Sequence, residues 1–193
     1  MALREIVVVE NPVLRKKAKK VEKLTPEARR LIDDMIETMR DAPGVGLAAP
    51  QVGVSRRIIV VEYVEDEERE NAPGSAVEGG EAQPPRKKLY AIINPEITRR
   101  SEAMVEGVEG CLSIPGWAGV VERHAEVEVR GLSRAGGKFR LKAKGWLARI
   151  LQHEIDHLDG VLFIDHVRGR DNLWRTPPPG EESPEEARAE HLG

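Results

Sequence analysis

Gly145-Trp146-Leu147-Ala148-Arg149-Ile150-Leu151-Gln152-His153-Glu154-Ile155-Asp156-His157-Leu158 is the stretch from which the rest of the chain can be read. Leu147, Ile150, Leu151, Ile155 and Leu158 recur with the period of an amphipathic helix, and Gly160 stands where a C-terminal cap is expected. Residues four apart on a helix project from one face, one turn apart, so His153 and His157 can bind a single tetrahedral ion. Trp146, Ile150, His153 and His157 share a face that adjoins the apolar stripe, which points the imidazoles inward. Glu154 is rotated by about 100° from His153 and reaches a water at the ion without ligating the ion itself. The spacing alone predicts a metal-dependent hydrolase.

Working outward, Thr25-Pro26-Glu27 opens a first helix, with Thr as N-cap and Pro at the first helical position. Ala28, Leu31, Ile32, Met35, Ile36 and Met39 give it an apolar face, and Asp41-Ala42-Pro43-Gly44 stops it. The following Gly44-Val45-Gly46-Leu47-Ala48-Ala49-Pro50-Gln51 is too rich in small residues for a regular element. Ile58-Ile59-Val60-Val61 reads as a buried strand. Glu65 to Lys88 turns acidic, then Gly- and Pro-rich, and is expected as an exposed loop before order resumes at Leu89-Tyr90-Ala91-Ile92-Ile93-Asn94-Pro95. Val120 to Leu132 alternates through Val127 and Val129 as one half-buried strand, with Lys138-Phe139-Arg140-Leu141 as its hairpin partner. Two separated helices and hairpin-ordered strands predict an α+β fold: small mixed or antiparallel sheets around a central C-terminal helix, with one N-terminal helix. We expect a catalytic domain over residues 1–166 and a polar, proline-rich tail over 167–193, where Ser183-Pro184-Glu185-Glu186 carries capping signals for a short helix.

The 193 residues, 40% hydrophobic and 33% charged, suit one globular domain with a heavily charged surface. A net charge of -3 gives no case for a nucleic-acid partner, and the basic run Arg15-Lys16-Lys17-Ala18-Lys19-Lys20 reads as a solvated face. No apolar run approaches the ~20 residues that span a bilayer. Met1-Ala2-Leu3-Arg4-Glu5 has no apolar signal core, so a cytoplasmic location is expected. One cysteine, Cys111, excludes a disulfide within the chain and suits a reducing compartment or a thiol held by a metal. Scarce Asn and Gln beside abundant Glu and Arg fit either a heat-adapted source or a GC-rich genome. Of only three glutamines, Gln51 and Gln152 lie in the motifs that matter here.

Two histidines leave a third ligand to be found. Cys111 is the candidate; lone cysteines are also commonly buried as small hydrophobes. The flanking Gly110 and Ser113-Ile114-Pro115 suggest a bend that presents the thiolate. Cys plus two His leaves a fourth position open, the arrangement of a catalytic rather than a structural site.

Gly44 to Gln51, Glu109-Gly110-Cys111-Leu112-Ser113 and Gln152 to Leu158 together resemble peptide deformylase, in order and in separation. The resemblance runs from Asn11-Pro12-Val13-Leu14-Arg15 to about Asp165. It implies removal of the formyl group from formyl-methionyl nascent peptides. It further implies one divalent metal held by Cys111, His153 and His157, with Glu154 as general base and acid. Gln51 and the backbone N–H of Leu112 are implied as oxyanion donors, and Gly44, Val45, Gly46 and Gly110 as substrate contacts. Glu109 is implied to pair with Arg123, and Gln152 to steady the helix or a ligand. Iron is the implied ion in the cell, and the donor set equally suits Zn²⁺, Ni²⁺ or Co²⁺. Ile150, Leu112, Val45 and Trp146 are candidates for a methionine pocket. Many members carry an arginine a few residues after Pro115, where this chain has Gly116-Trp117-Ala118-Gly119. The tail has two open readings: a helix docking on the ribosome, as in some members, or a solvated extension. Two rival functions are a zinc endopeptidase, in which a His or Glu usually stands in place of Cys111, and a metal- or nascent-chain-binding protein without catalysis, which would need neither Glu154 nor Gln51.

Overall fold

A computed structural model describes residues 2–42, 44–64 and 87–176. Helix α1 (Pro26–Asp41) starts as its sequence predicts, with the Thr25 hydroxyl accepting from the Ala28 N–H at 3.3 Å. Its Leu31, Ile32, Met35, Ile36 and Met39 are buried. The strands are β1 (Gly46–Ala48), β2 (Ile58–Val64), β3 (Lys87–Arg100), β4 (Met104–Cys111), β5 (Ile114–His124), β6 (Glu126–Ser133), β7 (Lys138–Lys144) and β8 (Leu173–Arg175). Helix α2 (Gly145–Asp159) lies between β7 and β8 in the chain and ends on Gly160, whose φ of 78° is the left-handed cap.

All pairings within the two sheets are antiparallel, in the orders β1-β2-β3-β6-β7 and β4-β5-β8. The run at Ile58 is apolar throughout because both faces of β2 are covered. Ile58 and Val60 pack with the α1 residues, while Ile59 and Val61 pack with Leu147, Ala148, Leu151 and Ile155 of α2. Each such side chain contributes about 1.5–3 kcal/mol of gross burial. The α+β architecture around a C-terminal helix is the one expected.

Two elements differ from the sequence reading. Gly46-Leu47-Ala48 is a strand after all, paired through Gly46↔Val61, Leu47↔Val60 and Ala48↔Ile59, and Ala49–Val52 is a 3-10 turn. Its small residues let this edge strand slide under α2, so composition alone misreads it as loop. Val120 to Leu132 is two strands in two sheets, β5 and β6, divided at Ala125. Burial continues in phase through Val121, Arg123, Val127 and Val129, so a period of two cannot reveal the change of sheet. The chain also stays on the fold beyond His166: β8 pairs with β5, and Trp174 is fully buried. The expected 65–88 loop up to residue 86, and the expected terminal helix, lie outside the described residues.

Candidate metal centre

α2 enters the site from the large sheet and β4 enters from the small one. His157 and Glu154 are buried, and the His153 side chain is 11% exposed. Cys111 ends β4 at the register break before Ile114, where Leu112-Ser113 turns the chain. Its Sγ lies 3.3 Å from His157 Nε2. The ligand atoms of Cys111, His153 and His157 lie within 4.8 Å of one another. A tetrahedral ion with bonds of about 2.0–2.3 Å sets its donors roughly 3.3–3.8 Å apart, a separation that Cys111 and His157 already show. One thiol and two imidazoles are a soft-to-borderline set that fits a transition-metal ion. Burial holds His157 well below its ordinary pKa; burial also opposes charge on His153, but hydrogen bonds with Cys111 and Glu109 outweigh it and hold that imidazole well above its ordinary value.

His153 and Cys111 have hydrogen-bonding neighbours behind them, whereas His157 Nδ1 is buried with no partner. His153 shares its Nδ1 with Glu109 Oε2 at 2.9 Å, which turns Nε2 toward the centre. Glu109 accepts from Arg123 Nε and Nη2, both at 2.9 Å, as the resemblance implied. Burial opposes the charge on Glu109, but hydrogen bonds from His153 and Arg123 outweigh it and hold the carboxyl far below its usual range. Gln152 straps α2 to β5: Oε1 accepts from His124 N at 3.1 Å, and Nε2 donates to His124 O at 2.9 Å. It steadies the helix rather than a ligand.

Glu154 is an unpaired carboxyl in the site. Burial raises its carboxyl to about 7, and Oε2 has no hydrogen-bond partner. A Cβ on Gly46 would sit 2.3 Å from Glu154 Oε1, so the glycine is what lets the carboxylate approach β1. Gln51 is buried with its amide fixed in orientation, since Oε1 accepts from Ala48 N at 2.8 Å. That leaves Nε2 facing Cys111 Sγ at 3.5 Å. Leu112 follows Cys111, and its Cδ1 would meet a Cβ on Gly44 at 2.8 Å. Gly110 pairs with Ala118 inside the small sheet. Val45 is 48% exposed beside β1.

Of the methionine-pocket candidates, Leu112 packs against the core cluster that contains the α1 face. Ile150 is buried in the main core, whereas Trp146 and Val45 stand at the surface. Two groups escaped the sequence reading. Asp156 accepts from Arg123 and pairs with His166 Nε2 at 2.8 Å, extending the Glu109 network outward. Arg149, buried on α2, also binds Glu109. A charged residue one turn before His153, among buried positions of the helix, was the available signal.

Residues 3–172 match the family model described as polypeptide deformylase. The peptide deformylase of Symbiobacterium thermophilum is 50% identical over 190 residues, covering 98% of this chain and 77% of that protein. That of Thermomicrobium roseum is 46% identical over 187 residues, covering 97% and 98%. The crystal structure of peptide deformylase from Ehrlichia chaffeensis superposes with a TM-score of 0.73 at 40% identity, covering 86% of this chain and 89% of that one. The Synechococcus elongatus enzyme in complex with actinonin gives 0.72 at 40% identity, covering 86% and 80%.

Proposed function

The chain belongs to the polypeptide deformylase family, and from that premise we infer that it removes the N-terminal formyl group from formyl-methionyl nascent peptides, releasing formate. The observation that carries this reading is the convergence of Cys111, His153 and His157 beside a buried carboxyl, Glu154, and an oriented amide, Gln51. A Cys in the third position, with Glu154 and Gln51 present, favours it over an endopeptidase or a simple binding protein.

Cys111, His153 and His157 are proposed as the ligands of the single metal, with Fe²⁺ as the cellular ion. Such an ion supplies an activated water at neutral pH and polarises the formyl carbonyl. Glu154 takes a proton from the attacking water as the new C–O bond forms, and returns it to the amine nitrogen as the C–N bond breaks. A carboxyl near 7 is matched to both halves of that task. Gln51 Nε2 and the Leu112 N–H stabilise the developing oxyanion. β1 is an edge strand of its sheet, so an extended peptide can lie along Gly44, Val45 and Gly46, with Gly110 on the opposite wall. Action on nascent chains implies a cytoplasmic setting. No described helix is long and apolar enough to cross a membrane.

The test is a formate-release assay on formyl-Met-Ala-Ser against the unblocked peptide, with anaerobic purification and metal analysis alongside. Formate appears and no internal bond is cut; internal cleavage without formate would overturn the assignment. Actinonin, bound by the Synechococcus elongatus enzyme, is expected to inhibit this one.

A further inference from the structure

Arg149 is a buried cation that the chemistry proposed above does not use. It lies four residues before His153, on the same face and one turn earlier in α2. Its Nη1 donates to Glu109 Oε1 and to Val121 O, both at 2.8 Å. Its Nη2 donates to Val105 O at 2.6 Å. The guanidinium crosses β4 directly over Gly107, where an added Cβ would lie 2.8 Å from Arg149 Cζ.

The two oxygens of Glu109 are thus taken from the same rigid helix, one turn apart. Oε2 meets His153 Nδ1 at 2.9 Å, and Oε1 meets Arg149 at 2.8 Å. Arg123 also holds both oxygens, but it is shared with Asp156. Without Arg149 the carboxylate could pivot about the Arg123 fork, and the imidazole would pivot with it. The charge count points the same way. Arg123 is shared between Glu109 and Asp156, which also meets His166, whereas Arg149 has Glu109 as its one carboxylate partner among the described residues.

We propose that Arg149 is a positioning residue for the metal centre: by locking the rotation of Glu109 it fixes the ring of His153, and Gly107 is the space it requires. The inference rests on the reading of His153 as a metal ligand. Metal bound through a histidine whose partner is disordered is typically held about 10–100-fold more weakly.

The experiment uses the full chain loaded with Co²⁺ and follows both its visible spectrum and its loss to excess EDTA. Arg149→Met is expected to release Co²⁺ at least tenfold faster, to change the Co²⁺ ligand-field bands, and to lower kcat with KM little changed. Arg149→Lys keeps a charge within reach of Glu109 but cannot span the carbonyls of Val105 and Val121, and is expected to recover most of the retention. Should Arg149→Met not fold, Gly107→Ala serves, since it keeps every charge and fills the space under the guanidinium; faster release is again expected. Release and spectra within twofold of wild type in the folded variant, with only Tm lowered, would reduce Arg149 to a strap between α2 and the small sheet. So would an Arg149→Lys protein that releases Co²⁺ as fast as Arg149→Met. A His153→Ala control separates the two readings: if it holds Co²⁺ as the wild type does, the ligand assignment fails, whereas rapid loss there with unchanged Arg149 variants overturns this inference alone.

Discussion

Glu154 combines two properties that a merely structural carboxylate would not keep: it is buried, and one of its oxygens has no partner. A buried acceptor left unpaired is costly, and the proposed mechanism needs this group free to exchange a proton. Glu154→Ala is therefore expected to retain one metal per chain while kcat falls by roughly 10²–10⁴; metal analysis and steady-state formate release check both halves, and full activity would remove Glu154 from the chemistry. Gly46→Ala is a second test at this scale. The new methyl would lie 2.3 Å from Glu154 Oε1, so the carboxylate must move. We expect kcat to drop at least tenfold, about 1.4 kcal/mol of barrier, with far-UV circular dichroism unchanged.

At the scale of elements, α2 is also held at its C-terminal end. Arg57, buried, donates to Leu158 O at 3.1 Å and to Asp159 at 2.7 Å, satisfying a terminal carbonyl of the helix. α1 is tied to the N-terminal segment through Asp34, which accepts from Ala2 N at 3.0 Å and from Arg4 Nη2 at 2.9 Å. The backbone hydrogen bond from Ala2, helped by Arg4, holds the Asp34 carboxyl below its ordinary value. A carboxyl depressed on folding contributes stability above its unfolded pKa, and that contribution is lost as pH falls through the folded value. Asp34→Asn is expected to lower stability by roughly 0.5–1 kcal/mol at pH 7. The difference from wild type should shrink in urea titrations as pH falls through the lowered Asp34 pKa, below the ordinary aspartate range.

For the whole molecule, the small sheet is closed by a strand contributed from beyond the metal helix. β8 pairs Trp117, Ala118 and Gly119 with Arg175, Trp174 and Leu173, and Trp174 packs against Ala118 and Val120. Truncation after Arg170 is thus expected to cost roughly 3–5 kcal/mol, the scale of losing a buried tryptophan, and to lower Tm sharply. Truncation after Thr176 keeps β8 and should leave Tm and formate release unchanged. That shorter deletion also separates the two readings of the tail: lost co-sedimentation with ribosomes would favour docking through residues 177–193, and unchanged co-sedimentation would end that reading.

The sequence by itself determined the parts of this protein that depend on local spacing. The four-residue step from His153 to His157, the position of Glu154 between them, the capped start of α1 at Thr25 and the apolar run at Ile58 all follow from helix and strand periods. The sheet in which each strand lies was left to the tertiary structure, because Val121, Arg123, Val127 and Val129 keep one alternation across the switch at Ala125. So was the convergence of Gln51 and Cys111 with α2, which joins segments far apart in the chain. The role of Arg149 is the sharpest case. Read along the helix it is a charge among apolar neighbours. Only when β4 and β5 close over it do Glu109, Val105 and Val121 supply the partners that make its burial affordable. Short-range pattern fixes what a helix can offer, and long-range packing decides which of its residues line the candidate metal centre and which lie behind it.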